Sequence, residues 1–316
     1  MWISKQPASV PAPATDAAEL REYLGRFAVP RHFHAQSQQN TRIGDAIARL
    51  LSDFGYEVWL QGRYRNVLAR PRNVAGPYFL IGAHFDSVPG TQGADDNGSG
   101  LAVLLAVARA LAGKNLPILI AAFNSEEDGL LGSADFAASC VCTGQLALQG
   151  AHILEMVVYC SRKRDSQRSP IPYLPGVPTV GDFLGLLGRG PESALLRTVL
   201  KTAAASTPEL SVIGLRTFFG IDKLLPVLHR SDHSPLWAAG VPALMWTDTA
   251  EFRNPNYHQG SDQIKTLDFS FMQSISTLLQ NVVTATCTPA SPSVIHAYRS
   301  SAVTRTASRS ARYRAC

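Results

Sequence analysis

The sequence predicts an α/β protein, a single domain of three layers with helices on both faces of a mixed, mostly parallel central sheet. Three observations predict it. Residues 78–85, 118–123 and 153–159 are short apolar runs rich in β-branched and aromatic side chains, the composition of strands buried on both faces. Helical patterns at 101–112 and 130–138 separate them, and strands alternating with helices argue for a parallel sheet. No Pro/Gly/Ser linker divides residues 15–287, so the body reads as one domain.

Taken in order, residues 1–14 are Pro/Ala-rich and are expected to form a disordered arm. A helix follows from about residue 16, with Leu20, Tyr23, Leu24 and Phe27 at amphipathic spacing. A second is expected over 41–54, with Ile43, Ile47, Leu50, Leu51 and Phe54 on one face and Gly55 as its C-terminal stop. Segments 56–60 and 66–69 read as antiparallel neighbours. After the alternating strands and helices, residues 161–190 are rich in Arg, Ser, Pro and Gly and too long for an ordinary connection. They read equally as a wall of a site or as plain surface loop. Helices at 193–205 and 234–239, a strand at 242–247 and a helix at 268–283 complete the body.

Composition removes several functions. The 316 residues are 46% hydrophobic and 17% charged, enough for a substantial core. No run of 18 uninterrupted apolar residues exists, so no membrane span is expected. The net charge of +5 comes from residues 288–316, which hold five Arg and no acid. That tail is expected to be a disordered basic extension, and no nucleic-acid partner is expected. Cys140, Cys142, Cys160, Cys287 and Cys316 have no recognisable ligand or redox spacing. Their odd count, and the lack of a recognisable secretory leader, give a cytoplasmic expectation.

The chemistry concentrates at strand ends. The run 78–85 delivers His84-x-Asp86, and Asp95-Asp96 follows in a Gly-rich loop that opens a helix. The run 118–123 leads to Glu126-Glu127, the run 153–159 carries Glu155, and His258 lies in a loop before the last helix. Open α/β sheets place ligands at the carboxyl ends of strands. A carboxylate there is costly to bury unless it is paired or metal-bound. Imidazole and carboxylate together are ligands that zinc accepts.

The segments AHFDSVPGT, GADDNGSG, SEEDGLLGS, SDHSPLWAAGVPALM and YHQGSDQ, with the strand 153–159 between them, resemble the co-catalytic zinc aminopeptidases of metallopeptidase family twenty-eight. Glutamate carboxypeptidases belong to that family and glutaminyl cyclases are close relatives. The resemblance spans about residues 40–283 and implies the zinc-peptidase fold with two zinc ions per chain. By it, Asp96 bridges both ions, with Asp95 as the alternative. Glu127 and His258 complete one site, and His84 and Glu155 the other. Asp86 orients His84, and Glu126 is the general base acting on a water that bridges the ions. Many members carry Asp at the position of Glu155, whose side chain reaches one methylene further.

The implied activity is a zinc-dependent exopeptidase, foremost an aminopeptidase acting on the N-terminal bond of a peptide substrate. A single-zinc glutaminyl-cyclase-type transferase is the alternative, marked by Asp96, Glu127 and His258 alone and a tryptophan-lined pocket. A carboxypeptidase would want a basic clamp, for which Arg162, Lys163, Arg164 and Arg168 stand available, and an inactive binding module is a further alternative. Tyr257 is a candidate oxyanion donor. Asp232 reads either as a helix N-cap or, with His233, as part of the site. Asp262 reads as a supporting partner or cap, and Asn97 and Ser99 shape the turn after Asp96. His32, His34, His152, His229 and His296 read as surface or core, and Trp59, Trp237 and Trp246 as core.

Overall fold

The computed structural model describes residues 2–3, 15–171 and 176–287. The basic tail at 288–316 and nearly all of the arm at 1–14 lie outside these residues. Within that arm, Trp2–Ile3 forms a short strand, β1. Helices α1 (Ala17–Phe27) and α2 (Ser37–Asp53) precede an antiparallel pair, β2 (Glu57–Gln61) and β3 (Asn66–Arg70). Asp16 caps α1 by accepting the Ala18 N–H at 2.9 Å, a satisfied N-cap. Then come β4 (Tyr78–His84), α3 (Gly100–Leu111), β5 (Ile118–Phe123), α4 (Leu131–Phe136) and β6 (Leu148–Glu155). The chain finishes with β7 (Phe183–Arg189), α5 (Ser193–Ser206), β8 (Ser211–Thr217), α6 (His233–Ala238), β9 (Ala243–Thr247) and α7 (Phe269–Cys287).

The strands form one sheet in the order β1-β8-β7-β9-β6-β4-β5-β3-β2. At its centre β9, β6, β4 and β5 run parallel, and antiparallel joins to β7 and β3 flank them. Every residue of β4 and β5 is buried, which is why their sequences are continuously apolar rather than alternating. Helices α1, α2, α3, α5 and α7 cover one face, and α4 and α6 the other. No helix among the described residues is long and apolar enough to cross a membrane.

Two strands depart from the sequence expectation. Strand β7 lies inside the stretch 161–190 that reads as irregular, and β8 falls where no element is expected. Both carry glycine inside an apolar run, which lowers strand propensity, yet packing demands it. A Cβ on Gly188 would sit 2.6 Å from Leu244, and one on Gly214 2.8 Å from Leu196. The expected strand 153–159 also ends early, at Glu155. Beyond it Met156 turns through a φ of +48°, and buried side chains take the backbone donors: Ser99 Oγ accepts from Val157 N, Asp95 Oδ1 from Val158 N and Asp248 Oδ2 from Tyr159 N. Glu155 is thus the last residue of β6, at the carboxyl end of the strand rather than in its middle.

The loop after β5 is seated by a close approach at Gly132. A Cβ there would lie 2.1 Å from the Asn124 carbonyl and 2.4 Å from Asn66 Oδ1. Gly132→Ala is therefore expected to cost about 1–3 kcal/mol, the usual range for overpacking. An unchanged midpoint in denaturant unfolding would show that the loop gives way freely.

Candidate active site

The four parallel strands end at one edge of the sheet, and the acids and imidazoles of the sequence converge there. His84 closes β4, Glu126 and Glu127 follow β5, Glu155 closes β6, and the chain after β9 returns with His258. His84 Nε2 lies 3.4 Å from Asp96 Oδ1, 3.5 Å from Glu155 Oε2 and 3.9 Å from Glu126 Oε2. His258 Nε2 lies 3.2 Å from Asp96 Oδ2 and 3.4 Å from Glu127 Oε2. Asp96 thus offers one oxygen to each histidine. Two ligand triads result, His84–Asp96–Glu155 and Asp96–Glu127–His258, joined at Asp96.

Carboxylates outside these triads hold them in place. Asp86 accepts the backbone N–H groups of Glu126 and Glu127, at 3.1 and 3.2 Å, and its Oδ1 lies 3.4 Å from His84 Nδ1. Asp262 does the same for the other acidic pair, accepting the N–H groups of Asp95 and Asp96 at 2.9 and 3.1 Å. Asp95 turns away from the histidines, accepting from Val158 N and, at 2.7 Å, from Asn254 Nδ2. Asn97 bonds Leu154 O, Gly100 N and Met156 N, tying the Asp96 turn to the end of β6. Ser231 Oγ donates to Glu155 Oε2 at 2.7 Å.

The side chains fit a cation. Both nitrogens of His84 and Glu127 Oε1 are buried without a hydrogen-bond partner, and such groups normally find one. Imidazoles with carboxylates are a donor set suited to zinc. Electrostatics report the same crowding. Burial pushes Glu126 well above the usual carboxylate range, and burial with the Asp96 charge raises Glu127 to about 7. Burial would lower His84, but the charges of Glu126 and Glu155 and the nearby Asp86 and Asp96 carboxylates hold it well above the usual imidazole value. His258 is raised to about 10, its bonds to Asp96 and Glu127 outweighing burial. Asp96 sits below the usual range, because the histidine bonds outweigh burial.

Other expectations fare differently. Asp232 precedes α6 but makes no capping bond. Its carboxylate is fully buried, both oxygens lack partners, and burial raises it to about 7, with the charges of His84, Glu155 and Asp86 acting on it. The capping reading is thus corrected: Asp232 stands at the N-cap position, but its carboxylate makes no capping bond and lies buried near the charges of the site. His152 is core, its Nδ1 accepting from Trp246 Nε1 at 3.0 Å. Trp237 is core too, donating to Ala243 O. His32 and His34 face Asp128 at 3.2 and 3.9 Å, and His296 lies outside the described residues. Sequence reasoning gave no role to Asp248, Asn254 and Arg31; Asn254 lies only four residues before His258, while the other two stand outside every ligand motif.

A cleft of about 640 Å³ opens from the triads across the face of β7, β8 and β9. Leu187, Ile213, Leu215, Met245, Val227 and Phe252 make it largely apolar. Gln167, Pro170, Val177 and Pro178 contribute a wall from the long 161–182 connection. Arg162, Lys163, Arg164 and Arg168 do not line it; Arg162 reaches Asp268 at 3.7 Å and Arg168 donates to Glu251 O. At the mouth, the Tyr257 ring stacks on His258 at 3.7 Å, and its hydroxyl accepts from Arg230 at 2.8 Å while Arg230 pairs with Glu251.

Known proteins share this arrangement of elements. Residues 66–169 match the model of peptidase family M28. A relative from Escherichia coli K12, the uncharacterized protein YfbL, is 34% identical over 311 residues, covering 89% of this chain and 92% of its own. The chain belongs to peptidase family M28. The Legionella pneumophila LapA aminopeptidase is similar in fold, with a TM-score of 0.67 at 17% identity over 88% of this chain and 72% of its own. A Bacteroides thetaiotaomicron glutaminyl cyclase has a TM-score of 0.64 at 17% identity, over 86% and 98%. As a member of M28 the chain belongs to a family of peptidases, hydrolases by class, and the two triads are its candidate metal centre.

The raised groups give this M28 centre a signed pH dependence. Glu127, Asp232 and Asp262, all raised to about 7 mainly by burial, and His258, raised to about 10, hold more protons folded than unfolded. Their contribution to stability is fully present at low pH and is lost as pH climbs through those values. A cation in the triads needs the protons of Glu127 and His258 released. Without metal, Tm is expected to fall between about pH 5 and pH 9, and added zinc to raise Tm more at the upper end. A zinc-induced shift larger at low pH would contradict this assignment.

Proposed function

We propose that this chain is an aminopeptidase that uses two zinc ions to hydrolyse the N-terminal bond of peptides. The observation that carries the reading is the pair of triads sharing Asp96, with Glu126 beside them in one cleft. His84, Asp96 and Glu155 would hold one ion, and Asp96, Glu127 and His258 the other. Bound zinc supplies Lewis-acid polarisation of a carbonyl and lowers the pKa of water.

The chain's own groups do the rest. Glu126 takes the proton of the attacking water and returns it to the leaving amine. Burial raises its pKa well above the usual carboxylate range, so its carboxylate form is the stronger base for the first transfer. The Tyr257 hydroxyl accepts from Arg230 and so keeps its own hydrogen to donate to a developing oxyanion. Glu126, Glu127 and Glu155 at the cleft floor favour a free amino terminus over a carboxylate, and the apolar walls favour apolar side chains.

The single-zinc transferase reading needs only Asp96, Glu127 and His258. The second triad speaks against it, as does a cleft whose lining among the described residues includes no tryptophan. A carboxypeptidase would need a basic clamp; the four basic residues of the 161–168 segment do not line the cleft, and of the two arginines that do, Arg230 is paired with Glu251 and Arg216 donates to Ser193.

The test is hydrolysis of leucine p-nitroanilide and of its N-acetylated form by zinc-equilibrated protein. The free amine is expected to be cleaved and the blocked one not. Glu126→Gln should lower kcat by about 10²–10⁴-fold while zinc content stays unchanged. Equal cleavage of the blocked substrate, or cyclisation of N-terminal glutamine without peptide hydrolysis, would overturn the proposal.

A further inference from the structure

Arg31 lies between α1 and α2, and its side chain is fully buried. It does not line the cleft. Among the described residues no carboxylate lies within ion-pair distance of it. Its donors go to carbonyls instead: Nε to Phe85 O at 2.5 Å, one terminal nitrogen to Gln92 O at 2.6 Å and Val29 O at 3.1 Å, the other to Gly93 O at 2.9 Å. Its backbone N–H donates to Ser87 Oγ at 3.2 Å. The loop so gripped, 85–93, is the segment that joins His84 and Asp86 to Asp95 and Asp96.

A second tie starts at the same residue. The Arg31 carbonyl accepts from Asn40 Nδ2 at 2.8 Å, and Asn40 exchanges side-chain hydrogen bonds with Asn124 at 2.8 and 2.9 Å. Asn124 Oδ1 also accepts the Ser125 N–H at 3.0 Å, at the start of the loop bearing Glu126 and Glu127. Burying a guanidinium without a bonded carboxylate is costly. Here the field of Asp86, Asp262, Asp96 and Glu127 compensates, while burial still lowers Arg31 to about 10. A lysine would keep the charge but not the planar fork that meets several carbonyls at once.

We propose that Arg31 is a positioning residue for the metal centre, holding both acid-bearing loops from behind so that the two triads keep their ligand distances. This rests on the metallopeptidase reading above. The test is zinc affinity by chelator competition for the wild type, Arg31→Lys, Ser87→Ala and Leu104→Ala. The last is a truncation of a buried core leucine on α3 that serves as a control for lost stability.

Arg31→Lys is expected to bind zinc about 10–100-fold more weakly with an unchanged far-UV circular dichroism spectrum. Ser87→Ala should weaken binding in the same direction by less, and Leu104→Ala should lower Tm while binding zinc like the wild type. Should Arg31→Lys fail to fold, Ser87→Ala carries the test. Wild-type zinc affinity in whichever of these variants folds would overturn the proposal, as would an equal loss in Leu104→Ala. A wild type that takes up no zinc would instead remove the metallopeptidase reading itself, and this inference with it.

Discussion

Among the described residues a carboxylate that accepts two consecutive backbone N–H groups occurs twice, and the arrangement of the site depends on it. Asp86 holds the amides of Glu126 and Glu127, and Asp262 holds those of Asp95 and Asp96. Two backbone N–H groups held by one carboxyl group fix a peptide segment in rotation as well as position. Each clamp sets the direction of an adjacent pair of acids, so that one member of the second pair, Asp96, meets both histidines while Asp95 faces away. The sheet brings the loops to one edge; the clamps decide which oxygen points where.

Those clamps place many acids close together in a dry environment. Burial and mutual repulsion raise Glu126, Glu127, Asp232 and Asp262, while His84 and His258 are raised by the acids around them. Arg31 supplies one fixed positive charge from behind the site and bonds only to carbonyls. The partnerless His84 Nε2 and Glu127 Oε1 belong to residues of the two triads that share Asp96. Cations between the triads would relieve the repulsion and satisfy these atoms together, which is a physical reason for membership in M28 to be legible in the geometry.

Much of this was readable in the sequence, for a physical reason. Buried parallel strands leave continuous apolar runs, and acids at the ends of such runs stand out because nothing else would put them there. The wound sheet, the paired acids and His84 with Asp86 follow from that contrast. Strands β7 and β8 were not readable, because close packing against Leu244 and Leu196 required glycines that weaken the strand signal. Asp232 looked like a helix cap because it precedes α6, and only the packing of that helix reveals its burial beside His84 and Glu155. Arg31, Asn254 and Asp248 act across sequence separations that no local pattern records. The choice between Asp95 and Asp96 likewise rests on Val158 and Asn254, both far along the chain.

The central claim is that two cations share Asp96. Anomalous scattering at the zinc edge, from crystals of zinc-equilibrated protein, tests it most directly. The account predicts two peaks flanking Asp96, one against His84 and Glu155 and the other against Glu127 and His258, with the first peak lost in Glu155→Ala. A single peak at Glu127 and His258, unaffected by that substitution, would contradict it and leave Asp96 as the ligand of one metal only.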